Sequence, residues 1–153
     1  MDLILWRHAE AARAEAGGDD LARALTPEGE RQAARMAVWL GARLPARARV
    51  LASPARRAQQ TAVALGRRFA TADALAPGGT VEALLAAAGW PDAPHPVLVV
   101  GHQPTLGLAL AGLMAQQARS WALRKGSLCW LRCRARDATR ETVLRALIGL
   151  DLL

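Results

Sequence analysis

The 153-residue sequence has no tyrosine, a single phenylalanine (Phe69), a single lysine (Lys125) and only two cysteines (Cys129 and Cys133). The five Trp residues read as core and rim, so few rings are left to stack on bases. The arginines are scattered except for a run between Arg132 and Arg140. A net charge of +7 therefore suits an anionic ligand, and no nucleic-acid partner is expected. The two cysteines lie four residues apart in a segment that alternates like a strand. At about 3.3 Å per residue their Cα atoms would stand about 13 Å apart, too far for a disulfide. They read as small buried hydrophobes in a reducing compartment.

Long apolar runs are also missing. No Asp, Glu, Lys or Arg occurs from Ala93 to Ala118, but Pro94, His95 and Pro96, then Gly101-His102-Gln103-Pro104, divide that stretch into a short strand and a helix. It is too polar in its middle for lipid, so no membrane partner is expected. Asp2 and Arg7 flank a very short apolar run, which predicts no secretory signal and a cytoplasmic protein. His8 and His102 lack a third ligand at suitable spacing, so no zinc site is expected.

What is present is an apolar content of 52%, enough for one full core in a single domain over residues 1–153. Leu3-Ile4-Leu5-Trp6 reads as a buried strand that runs directly into Arg7-His8. The stretch from Ala11 to Leu25 has no clear period and reads as a loop beside His8. Thr26-Pro27-Glu28 is a helix start, with Thr26 as cap, followed by Ala33, Met36, Leu40 and Leu44 at helical spacing up to Pro45. Arg49–Ala52 is a second strand, and Ser53-Pro54 opens a helix whose stripe is Ala58, Ala62, Leu65 and Phe69. A short strand is expected over Asp73–Leu75, then a helix capped by Thr80 and running through Ala88. Pro96–Val100 is the most hydrophobic strand, as a central parallel strand should be. A helix carrying Leu106, Leu110, Leu113 and Met114 follows. Ser127–Arg134 and Glu141–Leu152 alternate around an Asp137-centred turn and predict a terminal hairpin. Strand and helix alternate through most of the chain, so the expected class is α/β: three layers, α/β/α, with a mostly parallel sheet.

Three strand ends carry polar residues: Arg7-His8, Ser53-Pro54-Ala55-Arg56-Arg57 and Gly101-His102. In a parallel sheet these ends share one edge, so residues about 50 and 100 positions apart can meet in one cleft. Singly, each histidine could be a base, a metal ligand, a nucleophile or an inert strand-end residue. Two histidines with several arginines suggest a phosphoryl site, because guanidinium groups match phosphate oxygens and keep their charge. An imidazole with one nitrogen held by a carbonyl offers the other to phosphorus.

Arg7-His8-Ala9, Ser53-Pro54 with Arg57 and then Gln60-Thr61, and Gly101-His102-Gln103-Pro104 resemble the signatures of the histidine phosphatase (phosphoglycerate mutase-like) superfamily. Leu25-Thr26-Pro27-Glu28-Gly29 is a fourth matching feature, and together they run in order from residue 3 to about 110. The resemblance implies that His8 is transiently phosphorylated, that Arg7, Arg57 and His102 bind the phosphoryl group, and that neither metal nor other cofactor is needed. Thr26, Ser53 and Gln103 are the expected substrate contacts. Ala9 replaces the usual glycine after the nucleophile. The stretch Leu75-Ala76-Pro77-Gly78-Gly79 lacks the acid that, in many relatives, protonates an alkoxide leaving group. An imidazole leaving from phosphohistidine is a far better leaving group, so the chain looks like the small SixA-type branch, the protein phosphohistidine phosphatases. The expected partner is a phosphorylated substrate such as a phosphohistidine-bearing signalling protein. Two alternatives stand beside this: a phosphatase of small esters or nucleotides, with Glu82 as proton donor, and a binding module that keeps the pocket without turnover.

Overall fold

Leu3, Ile4, Leu5 and Trp6 are fully buried and alternate between the two faces of strand β1 (Asp2–Arg7). Leu3 and Leu5 belong to one core cluster, while Ile4 and Trp6 belong to the other. A strand apolar on both faces needs cover on both. The computed structural model, which describes residues 1–136 and 139–153, shows that cover. Helices α1 (Pro27–Gly41) and α2 (Arg56–Val63) bring Met36, Leu40, Ala58 and Ala62 against the Ile4 face. Helices α3 (Val81–Ala88) and α4 (Thr105–Ala115) bring Leu84, Leu106 and Leu110 against the Leu3 face. The result is the three-layer α/β/α arrangement expected from the chain.

Between the helical layers lies one six-stranded sheet. It adds β2 (Arg49–Ala52), β3 (Ala70–Thr71), β4 (Val97–Gly101), β5 (Leu128–Arg136) and β6 (Thr139–Ile148), in the order β3-β2-β4-β1-β5-β6. The pairs β3/β2, β2/β4 and β4/β1 are parallel, whereas β5 runs antiparallel to both β1 and β6. The register sets Arg7 opposite Gly101 and Ala52 opposite Val100. His8, Ser53 and His102, each one residue further on, therefore leave the sheet side by side at its carboxyl edge.

Local chemistry accounts for the helix boundaries. Thr26 caps α1 by accepting from the Gly29 N–H at 3.0 Å, with Pro27 in the first turn. Thr80 caps α3 by accepting from Ala83 N–H, and Gly89 ends it at a φ of 69°. Several expectations need correction. Helix α2 stops at Val63 and the chain turns at Gly66, with φ 62°, so Leu65 and Phe69 pack on the α1/α2 core from beyond the helix. Helix α1 ends at Gly41, and Leu44 is buried through a tight turn in which its N–H donates to Leu40 O at 2.7 Å. Asp73–Leu75 is a 3-10 turn, because the strand there is only Ala70–Thr71. The last strand ends at Ile148, and Leu150–Leu152 forms a 3-10 turn whose Leu150 carbonyl accepts from Arg35. The expected turn at Asp137 lies outside the described residues. Among the described residues no helix is long and apolar enough to cross a membrane.

Candidate active site

The carboxyl edge of the sheet gathers Arg7, His8, Arg57 and His102. Gly126 N–H donates to the carbonyls of both Arg7 and His8, at 3.2 and 3.1 Å, and His8 N–H donates to Gly101 O at 3.1 Å. This fixes the backbone from which both side chains spring. The His8 and His102 rings stand 5.0 Å apart between centroids, tilted by 53°. His8 Nδ1 lies 2.7 Å from the Ala9 carbonyl. A carbonyl can only accept, so Nδ1 carries the proton and the Nε2 lone pair is left free.

His102 is held differently. Its Nε2 is 2.7 Å from Ser53 Oγ, and its Nδ1 is 3.5 Å from Nη2 of Arg57. Arginine only donates, so Nδ1 accepts and Nε2–H donates to Ser53, whose hydroxyl oxygen also accepts from Ala55 N–H. Burial, reinforced by the nearby Arg57, Arg7 and Lys125 charges, pushes the His8 pKa down to about 4. Burial, with the His8 and Arg57 charges behind it, pushes His102 to about 3, although Asp20 opposes this. Both imidazoles are thus neutral at neutral pH.

Arg57 is 3% exposed and Arg7 half-buried. Arg57 is the second residue of α2 and is buried at the site, whereas its neighbour Arg56 is exposed. Arg7 donates through Nη1 to the Leu123 carbonyl. The Nε–H groups of both Arg7 and Arg57 are buried with no hydrogen-bond partner. Two buried, permanently charged donors left open beside two neutral imidazoles form an incomplete shell that an anion would complete. No group of three or more His, Cys, Asp and Glu side chains among the described residues is disposed to hold a metal ion.

Ser53 is in the site, through His102. Thr26 acts as a cap and donates to Glu10 Oε1 at 2.9 Å, so it braces the segment after His8. Gln103 points elsewhere: its amide donates to Trp121 O at 2.7 Å and its Oε1 accepts from Gly107 N–H at 2.9 Å, tying α4 to the 120–121 loop. Glu82 is exposed on the first turn of α3 and borders a groove with Gly79, Thr80, Pro104, Thr105 and Leu108, whose lining includes none of the four central residues.

Sequence reasoning missed two residues. Asp20, on a 3-10 turn of the rim loop (Asp20–Ala22), accepts from Arg57 Nη2 at 2.9 Å through Oδ2 and from Arg57 Nη1 at 2.6 Å through its backbone carbonyl. Its only sequence signal is the i,i+3 spacing to Arg23, which donates to Oδ1. Lys125 lies near enough for its charge to lower the His8 pKa, and borders a cleft of about 360 Å³ with Glu10, Gln32, Arg124, Leu150 and Asp151.

The model of the histidine phosphatase superfamily (branch 1) matches residues 3–76. A protein assigned as a phosphohistidine phosphatase SixA, from Nakamurella multipartitia, is 31% identical and superimposes with a TM-score of 0.81 over 97% of this chain and 95% of its own. The chain belongs to the histidine phosphatase superfamily. Within it, the SixA-type branch fits best. The protein histidine phosphatase SixA solved with tungstate is 26% identical, with a TM-score of 0.77 over 99% of this chain and 98% of that one. An uncharacterized Mycobacterium tuberculosis protein is 39% identical over 119 residues, which are 73% of each chain. This histidine phosphatase is accordingly a hydrolase of phosphorylated substrates.

Proposed function

We propose that this phosphatase removes phosphoryl groups from phosphohistidine in proteins, and that it works through a phosphohistidine of its own on His8. The observation that carries the mechanism is the pair of neutral imidazoles flanked by two guanidinium groups whose buried Nε–H donors are open. In the first step the His8 Nε2 lone pair forms a bond to phosphorus as the bond from phosphorus to the carrier nitrogen breaks. The electron pair leaves with the carrier imidazole. Arg7 and Arg57 hold the equatorial oxygens, whose charge they offset throughout, and His102, neutral and fixed on Ser53, sits against Arg57 through its Nδ1. In the second step water attacks phosphorus, the electron pair of the breaking N–P bond returns to His8 Nε2, and the protons of the water leave with inorganic phosphate or pass to solvent.

The choice of carrier rests on the acids. An alkoxide leaving group needs a proton at departure, whereas an imidazole does so far less. The Leu75–Gly79 stretch has no acid, and Glu82 borders a separate groove. Asp20 does sit in the site, but its hydrogen bond from Arg57, with another from Arg23, holds its carboxyl below the usual range. It is therefore an anion and a poor proton donor. SixA proteins of the same fold, described as phosphohistidine phosphatases, support the same reading.

A substrate panel tests it. A phosphohistidine-bearing protein should be dephosphorylated far faster than sugar phosphates, phosphoserine or nucleotides, and Glu82→Gln should change neither rate. Preferential ester turnover that Glu82→Gln abolishes would replace this reading with the small-ester one.

A further inference from the structure

The rim loop grips the site through Asp20, and the way it does so is specific. A guanidinium group offers two bidentate edges: a terminal edge made of Nη1 and Nη2, and a side edge made of Nε and Nη2. Asp20 takes the terminal edge of Arg57 with its backbone carbonyl on Nη1 and its Oδ2 on Nη2. The side edge is left with one open donor. There, Nη2 also faces His102 Nδ1 at 3.5 Å, and Nε–H is buried without a partner.

The Asp20 carboxylate is itself anchored. Arg23 Nε donates to Oδ1 at 2.8 Å, and Arg23 Nη1 donates to the Ala12 carbonyl at 2.9 Å. Asp19 closes the turn by accepting from Leu21 N–H at 2.8 Å. With both oxygens engaged by arginines, this carboxylate is built as a fixed brace. A mobile anion standing in for substrate would not need the second tether.

We propose that Asp20 is a positioning residue of this phosphatase: by holding the terminal edge of Arg57 it turns the side edge, with its open Nε–H, toward the phosphoryl group beside His102. The inference rests on the phosphoryl site proposed above. It adds that the loop of residues 11–25, silent in sequence pattern, sets the aim of a phosphate-binding arginine, with Arg23 as the second link.

Calorimetric titration with tungstate, alongside kcat and KM on a phosphohistidine protein, tests the brace. Asp20 is half exposed on a loop, so its variants retain the fold, which a thermal melt verifies. Asp20→Ala should bind tungstate about tenfold more weakly than wild type, the scale of a lost charge-assisted hydrogen bond, with KM raised in step. Asp20→Asn keeps an oxygen that can accept from Nη2 and should recover most of the loss. Arg23→Ala should fall between wild type and Asp20→Ala. Unchanged or tighter tungstate binding by Asp20→Ala overturns the proposal, because it makes the carboxylate a bystander or a competitor. Failure of wild type to bind tungstate, or equal binding by Arg57→Ala, would instead overturn the phosphoryl site itself.

Discussion

His8 and His102 show how two residues of the same type acquire separate tasks from their partners. The Ala9 carbonyl fixes the His8 tautomer and frees Nε2, while Ser53 and Arg57 hold His102 by both nitrogens. Burial keeps each ring neutral, and a neutral ring is what nucleophilic attack on phosphorus requires. Followed by NMR in the free enzyme, His8 should titrate near pH 4 instead of near the ordinary imidazole value of 6.5. Lys125→Gln removes one of the cations that oppose protonation, so the His8 titration should move upward while staying depressed, since desolvation is the larger cause. A titration at the ordinary value would mean that the ring is solvated and the site open to water.

At the scale of elements, the start of α1 is built onto the segment that follows His8. Thr26 N–H donates to the Glu10 carbonyl at 3.1 Å, and a Cβ at Gly29 would fall well inside contact distance of that same carbonyl. Only glycine lets the helix approach so closely. Gly29→Ala should therefore cost roughly 2 to 4 kcal/mol of stability and lower kcat by displacing His8 and Glu10. Gly41→Ala, with open space around it at the other end of the same helix, should be neutral or slightly stabilising. Thermal melts of the two variants separate close approach from a general intolerance of alanine in α1. The start of α1 was legible in Thr26-Pro27 because capping chemistry is local. The early end of α2 was not, since Leu65 and Phe69 continue the apolar pattern while the backbone turns at Gly66.

For the molecule as a whole, the site is a load that the fold carries. Two histidines are buried neutral, and Asp2 and Asp20 have carboxyls held low; burial opposes this for Asp2, but bonds from Arg132 and Arg145 outweigh it, while Arg57 leads for Asp20. Every one of these folded-state values lies below its unfolded value, so the unfolded chain binds more protons as pH falls. Stability is therefore greatest above about pH 6.5 and declines toward pH 4, with His8 alone contributing on the order of 3 kcal/mol by linkage. Urea melts at pH 7.5 and 4.5 check the direction; equal stability at the two values would contradict the burial of both rings. The convergence of Arg7, His8, Arg57 and His102 was legible because parallel strands bring their carboxyl ends to one edge whatever lies between them. Asp20 was not, because a lone acid in an aperiodic loop carries no pattern. Gln103 misled for a related reason: adjacency to His102 in sequence does not decide which way its side chain points. The mechanism stands or falls on a phosphoryl bond to His8. The most direct measurement is a brief reaction with a protein labelled on phosphohistidine, quenched in alkali, with the label mapped along this chain. The label should appear on the peptide containing His8 of wild type and be absent from His8→Ala; equal labelling of the two would contradict it.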